Sequence, residues 1–261
     1  LIYQFPLGVF GVAVATAAFP MLARAADNRG LFLDTLRRGL RLSLFIGLPA
    51  SLGLMLVRHD ITRILFSITA SRGFDESDLA RSAAVLLGLA PAVWAFSLNQ
   101  LLTRAFYAKG DTITPVRVSL ALVVANFFLN AVGIWFLQEA AIAWATSVTA
   151  VLQTCVLMYL AKKRFCPVHE PILDGPTRRS ITRVCAAVLV MGAIVMLTKN
   201  IWPIAPDASR WLLLLRMLVY VGLGAVTYVG EALYSRSPEL SWLMSRSKQQ
   251  SKGQYRDLVV D

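Results

Sequence analysis

Apolar runs of membrane-spanning length alternate with short polar stretches along almost the whole chain. Seven runs stand out: residues 2–22, 40–57, 81–107, 115–137, 140–161, 181–200 and 211–234. At ~1.5 Å per helical residue each run reaches across a hydrocarbon core of ~30 Å, the second only barely. Helices are predicted rather than strands, because a backbone facing lipid must satisfy its own hydrogen bonds. Pro115 falls in a favourable first-turn position, and Pro6, Pro20, Pro49 and Pro91 permit kinks. Residues 31–39 place Leu31, Leu33 and Leu36 beside Arg37 and Arg38, a pattern that predicts an interfacial helix on the inner leaflet. Ser77 or Asp75 is expected to cap the third span, and the tail beyond Tyr234 is expected to fray. The layout is therefore all-α: five spans in 1–162, a loop at 163–180, two spans in 181–234 and a tail at 235–261.

Charge orients this layout. Of 26 basic residues, only Arg58, Arg63, Arg72, Arg81, Lys199, Arg210 and Arg216 fall on the side that follows the even-numbered spans. All the others flank the opposite side. The positive-inside rule predicts that this richer side, with the C-terminus, is cytoplasmic.

Composition narrows the class further. With 57% hydrophobic and only 16% charged residues, a soluble or disordered chain is excluded. The net charge of +11 would suit nucleic acid, but such a binder does not carry seven apolar runs. No nucleic-acid partner is expected. Cys155, Cys166 and Cys185 lack metal-ligand spacing, and His59 and His169 are too few for a histidine site. No phosphate-binding glycine loop, nucleophile elbow, HExxH helix or carboxylate pair is present. The chain starts at Leu1 without a basic leader, which reads as a piece of a longer protein.

Function must then come from polar groups inside the spans, where they are expensive. Asn126 and Asn130 share one face of the fourth span, and Thr146, Thr149 and Gln153 line one face of the fifth. Ile142 continues that face and offers only its carbonyl. Two readings fit: hydrogen-bond glue between helices, or an oxygen-lined site for a small hard cation. Asn99, Gln100 and Arg104 mark the cytoplasmic half of the third span. Arg104 either snorkels to the interface or lines a cavity for an anionic headgroup. Tyr107, Trp94, Trp202, Trp211 and Trp242 are expected to be interfacial anchors.

Two stretches carry a resemblance. Tyr3-Gln4-Phe5-Pro6-Leu7-Gly8-Val9-Phe10-Gly11-Val12-Ala13 is one. The other is Arg104-Ala105-Phe106-Tyr107-Ala108-Lys109-Gly110-Asp111-Thr112, followed by Thr114-Pro115-Val116. Both resemble the MurJ/MviN family of bacterial lipid II flippases, collinearly from Leu1 to about Tyr234. The resemblance implies that these spans are the last seven of fourteen, forming one of two lobes around a cationic cavity in the bacterial inner membrane. It implies lipid II and membrane lipids as partners, with the first lobe of the same protein completing the cavity. Cargo would cross by alternating access with no bond made or broken, so the expected protein is a transporter and not an enzyme. Gln4 falls at a cavity-side position where some members carry Glu, and Arg104 is the second cavity candidate. The family's Na⁺ site maps onto Asn126, Asn130, the Ile142 carbonyl and Thr146, departing at Asn130 where an Asp is usual. The last two spans resemble the pair that forms a groove for the lipid tail. Two other readings stay open: a flippase for another polyprenyl-linked glycan or drug, and an inactive membrane scaffold.

Overall fold

A computed structural model describes residues 13–69, 76–167, 170–202, 210–235 and 237–240. Among these the chain forms eight helices and no strand: α1 (Ala13–Arg24), α2 (Arg29–Thr69), α3 (Glu76–Leu89), α4 (Ala92–Ala108), α5 (Ile113–Leu137), α6 (Ala140–Phe165), α7 (Gly175–Ile201) and α8 (Arg210–Tyr234). Six stretches are long and apolar enough to cross a membrane, with α3 and α4 together making one. The first expected span survives as α1, its earlier part lying outside the described residues.

α2 is the central element. It packs against α1, α3, α4, α7 and α8, while α6 sits behind α4 and carries α5 on its outer side. At one end Phe32, Leu36 and Leu40 of α2 bury themselves among Leu101, Leu102 and Phe106 of α4 and Leu157 and Phe165 of α6. Phe165 anchors this cluster, its ring 5.3 Å from Phe32 and 4.9 Å from Phe106. A second cluster joins α2 to the last two helices through Phe45, Val184, Met191 and Tyr228. The Tyr228 hydroxyl donates to the Phe45 carbonyl at 2.6 Å, so the phenol enters apolar surroundings with its polar end satisfied.

Four expectations are corrected. Residues 31–39 do not form a separate interfacial helix; they are the first turns of the 41-residue α2. Phe32, Leu33 and Leu36 face neighbouring helices rather than a leaflet, and Arg37 is buried with them. Nor does the tail fray at once. Glu239 is 1% exposed and its Oε1 accepts from Ser180 Oγ at 2.6 Å, with Arg41 Nε 4.0 Å from the same oxygen. Trp94 is no boundary anchor, because it is partly buried near the start of α4, against the core. Its backbone N–H donates to Ser51 Oγ across the interface at 3.1 Å. The third span does bend at Pro91, whose ring cannot continue the ladder, and Ser51 meets one of the amides released there. Ser77 lies inside α3 rather than capping it, and Asp75 lies outside the described residues.

Candidate functional site

The sequence stretch that carries the family resemblance builds the α4–α5 corner. Gly110, at φ +76, closes α4 with the amides of Lys109, Gly110 and Asp111 bonded back to Phe106 and Tyr107 carbonyls. A side chain at that φ would be strained, which is why glycine stands there. Asp111 then caps α5: its Oδ1 accepts from the Thr114 amide at 3.0 Å. Its other oxygen pairs with Arg164 of α6, and Arg164 also donates to Thr114 Oγ1 at 3.2 Å. Lys109 donates to the Ala26 carbonyl and sits 4.6 Å above the Phe32 ring. The motif thus ties α1, α2, α4, α5 and α6 together at one end of the bundle.

Burial alone would push the Asp111 carboxyl up. Hydrogen bonds from Thr114 and the Arg164 guanidinium outweigh it and hold the group below its ordinary 3.8. A depressed folded-state value means stability that is fully present above the unfolded value and lost as pH falls through the folded one. Asp111→Asn is therefore expected to lower thermal stability at neutral pH, with the gap to the parent closing below about pH 4. A gap that does not narrow in acid would show that the carboxylate charge is not what matters.

The polar faces of α5 and α6 do meet. Asn126 Nδ2 donates to Thr149 Oγ1 across the interface at 3.2 Å, and Asn130 Nδ2 donates to Asn126 Oδ1 at 2.9 Å. Thr146 Oγ1 donates to the Ile142 carbonyl at 2.7 Å, and Gln153 Nε2 donates to Ser119 Oγ at 3.0 Å. Of these, the Asn126–Thr149 and Gln153–Ser119 bonds join the two helices, and the other two lie within one helix. One acceptor remains: Asn130 Oδ1 is buried and has no donor. An amide oxygen of this kind is one of the several oxygen ligands that a hard cation takes.

Arg104 is half-buried on α4, its Nε is buried without a hydrogen-bond partner, and its guanidinium lies 5.7 Å from the Phe19 ring of α1. Gln4, the other cavity candidate, lies outside the described residues. Behind Arg104, Asn99 is buried and bonds α4 to α6 through the Ala150 carbonyl at 3.0 Å and Thr154 Oγ1 at 2.9 Å.

The two charge sets occupy opposite ends of the bundle. At the end bearing the motif, Arg29 donates to the Phe165 carbonyl and Arg37 reaches Glu170. At the other, Arg63 pairs with Glu76, Arg81 with Glu139, and Asp60 lies between Lys199 and Arg216. Sequence reading missed Arg37, Asp60, Arg216 and Glu239 as buried charges. The available signal was the mixing of both signs near span ends, which periodicity does not weigh.

Comparison with known proteins adds the following. The family described as "Lipid II flippase MurJ" matches residues 1–215. A "Probable lipid II flippase MurJ" of Vibrio cholerae is 33% identical over 235 residues, covering 87% of this chain and 42% of the relative. Its counterpart in Thermotoga maritima is 31% identical over 221 residues, covering 84% and 42%. A solved structure, "Lipid II flippase MurJ, inward closed conformation", superposes with a TM-score of 0.71 at 19% identity, over 90% of this chain and 45% of that one. The chain thus spans about two-fifths of the length of these relatives.

Proposed function

The chain belongs to the lipid II flippase MurJ family, and from that premise we propose that it forms the C-terminal lobe of a flippase for lipid II. The observation that carries this is the family match over 1–215, in which the motif 104–116 ties five helices together at the α4–α5 corner. Lipid II joins a polyprenyl tail to a diphosphate and a disaccharide-peptide. That headgroup cannot enter hydrocarbon bare, so polar groups must replace its water while the tail stays in lipid. Arg104 and Gln4 would face the cargo across the gap to a first lobe. Arg104 fits, because part of its guanidinium is already stripped of water without an acceptor. Translocation makes and breaks no bond, so the protein acts as a transporter and not as an enzyme. The charge-rich end would face the cytoplasm of a bacterial inner membrane.

The test is depletion of the full-length protein in cells with no second flippase. Lipid II should fail to reach the outer leaflet, and lysis should follow. Normal translocation would overturn the reading.

The same lobe would hold Na⁺ between α5 and α6, through Asn126, Asn130, the Ile142 carbonyl and Thr146. The orphaned Asn130 Oδ1 supports the fit. When bound, the ion would supply a positive charge, and these residues would supply neutral oxygens to hold it. A carboxylate in place of that amide adds a full charge. Asn130→Asp should therefore tighten Na⁺ binding by about tenfold, read as a Na⁺-dependent shift in thermal unfolding. Unchanged affinity would leave the interface as hydrogen-bond glue alone.

A further inference from the structure

At the end opposite the motif, four elements converge: the last turns of α2, the start of α3, the end of α7 and the start of α8. They surround a cavity of about 430 Å³ lined by His59, Asp60, Arg63, Glu76, Lys199 and Arg216 among others. Among the described lining residues the charges do not cancel. Asp60 pairs with Lys199 at 2.7 Å, and Lys199 also donates to the Leu56 carbonyl at 2.6 Å. Arg63 stands 3.7 Å from Glu76. Arg216 is the surplus cation, 4.0 Å from an Asp60 oxygen that it shares with no stronger bond.

Arg216 is also the most enclosed cation of the group. Its side chain is 7% exposed, its Nε donates to the Tyr220 hydroxyl, and its Nη1 is buried without any partner. A desolvated guanidinium hydrogen left without an acceptor is costly, and because Arg216 forms part of the cavity wall, a small turn of its side chain would offer that hydrogen to an acceptor in the cavity. The volume exceeds many times the ~30 Å³ share of one water. The occupant must also suit its surroundings. On the helices beside the cavity, Trp211, Leu215, Leu197 and Ile201 expose apolar surface at this end of the bundle. An anionic head with an apolar tail fits both features, and a guanidinium matches phosphate oxygens in pairs.

We propose that this cavity binds a phosphate oxyanion between Arg216, Lys199 and Arg63, supplied by the headgroup of an anionic phospholipid or by free phosphate. The site is separate from the cargo face and the α5–α6 interface, and it stands whether or not the flippase reading does.

The test titrates the purified 261-residue chain in micelles at constant ionic strength, following thermal unfolding. The probes are phosphatidylglycerol, phosphatidylcholine and inorganic phosphate. A saturable upward shift with phosphatidylglycerol but not phosphatidylcholine is expected. A matching shift with inorganic phosphate would show that free phosphate also enters, and its absence would assign the site to the lipid headgroup. Arg216→Gln and Arg63→Gln should each weaken the apparent affinity about tenfold or more, whereas Arg24→Gln at the opposite end should not. Should Arg216→Gln fail to fold, Arg63→Gln decides, because that side chain is 35% exposed and its loss leaves no buried charge alone. No saturable shift with either anionic probe, or affinities untouched by both cavity variants, would overturn the proposal.

Discussion

Arg37→Ala is expected to destabilise the chain by about 3 kcal/mol or more, whereas Arg38→Ala, one residue along, should change stability by less than ~0.5 kcal/mol. The two arginines look alike in the sequence and differ entirely in place. Arg37 is 8% exposed at its side chain and reaches across to the loop between α6 and α7. Its Nε donates to the Ile172 carbonyl at 3.1 Å, and its Nη2 donates to the Pro171 carbonyl at 2.8 Å and to Glu170 at 2.7 Å. Asp34 and Asp174 stand at 3.8 and 3.9 Å. Removing the guanidinium leaves two carbonyls without their donor and strips three carboxylates of their shared counter-charge. Asp174 is also the cap of α7, accepting from the Thr177 amide at 2.9 Å, so the damage should spread to the start of that helix. Arg37→Met, which keeps the apolar stem, should recover only the packing part of the loss. Denaturant unfolding in detergent measures all three, and equal effects for Arg37→Ala and Arg38→Ala would contradict the loop-pinning role.

Arg37 also shows where sequence reading stops. Its hydrogen-bond partners lie more than 130 residues away, and nothing in the local pattern LFLDTLRRG separates a buried arginine from one lying on a leaflet. The expected interfacial helix failed for the same reason: leucines at that spacing face lipid or protein equally well. In a membrane, hydropathy records what avoids water and is silent on which neighbour replaces it. α5 makes the point from the other side, as strongly apolar as any span and yet with none of its spanning window buried. Features set by local chemistry were legible. The ends of the last four spans to within a few residues, the bend at Pro91, the separation of charge to two ends and the meeting of the α5 and α6 polar faces follow from spacing, whereas the second span, expected over 40–57, runs on at both ends into the 41-residue α2. Pairings between distant polar groups, such as Asp60 with Lys199 or Ser180 with Glu239, come from tertiary packing and leave no trace in periodicity.

Gly88→Val should be the most damaging change at a position with no polar side chain, costing about 3 kcal/mol, and even Gly88→Ala should destabilise. α3 and α6 approach so closely here that a β-carbon on residue 88 would lie 2.7 Å from the Ala143 β-carbon and 3.1 Å from the Trp144 amide nitrogen. Neither neighbour is the end of a flexible side chain, so relief requires the helices to part. Parting them would also break the bond that Ser147 Oγ donates to the Gly88 carbonyl, an interaction buried at the same seam. Without a hydrophobic drive between helices in lipid, such close backbone contact supplies much of the association. Gly222 is the counter-case, exposed on α8 with nothing near its would-be β-carbon. There Gly222→Ala should stabilise by about 0.5–1 kcal/mol, because alanine restricts the unfolded chain and favours helix. The same substitution thus carries opposite signs at two glycines of similar sequence context. Thermal unfolding in detergent reads both, and a Gly88→Ala variant as stable as the parent would mean that the α3–α6 seam is looser than these distances require. Because α3 and the bend at Pro91 lead directly into α4, which carries Arg104, a loosened seam should, on the flippase reading proposed above, also weaken transport by the full-length protein.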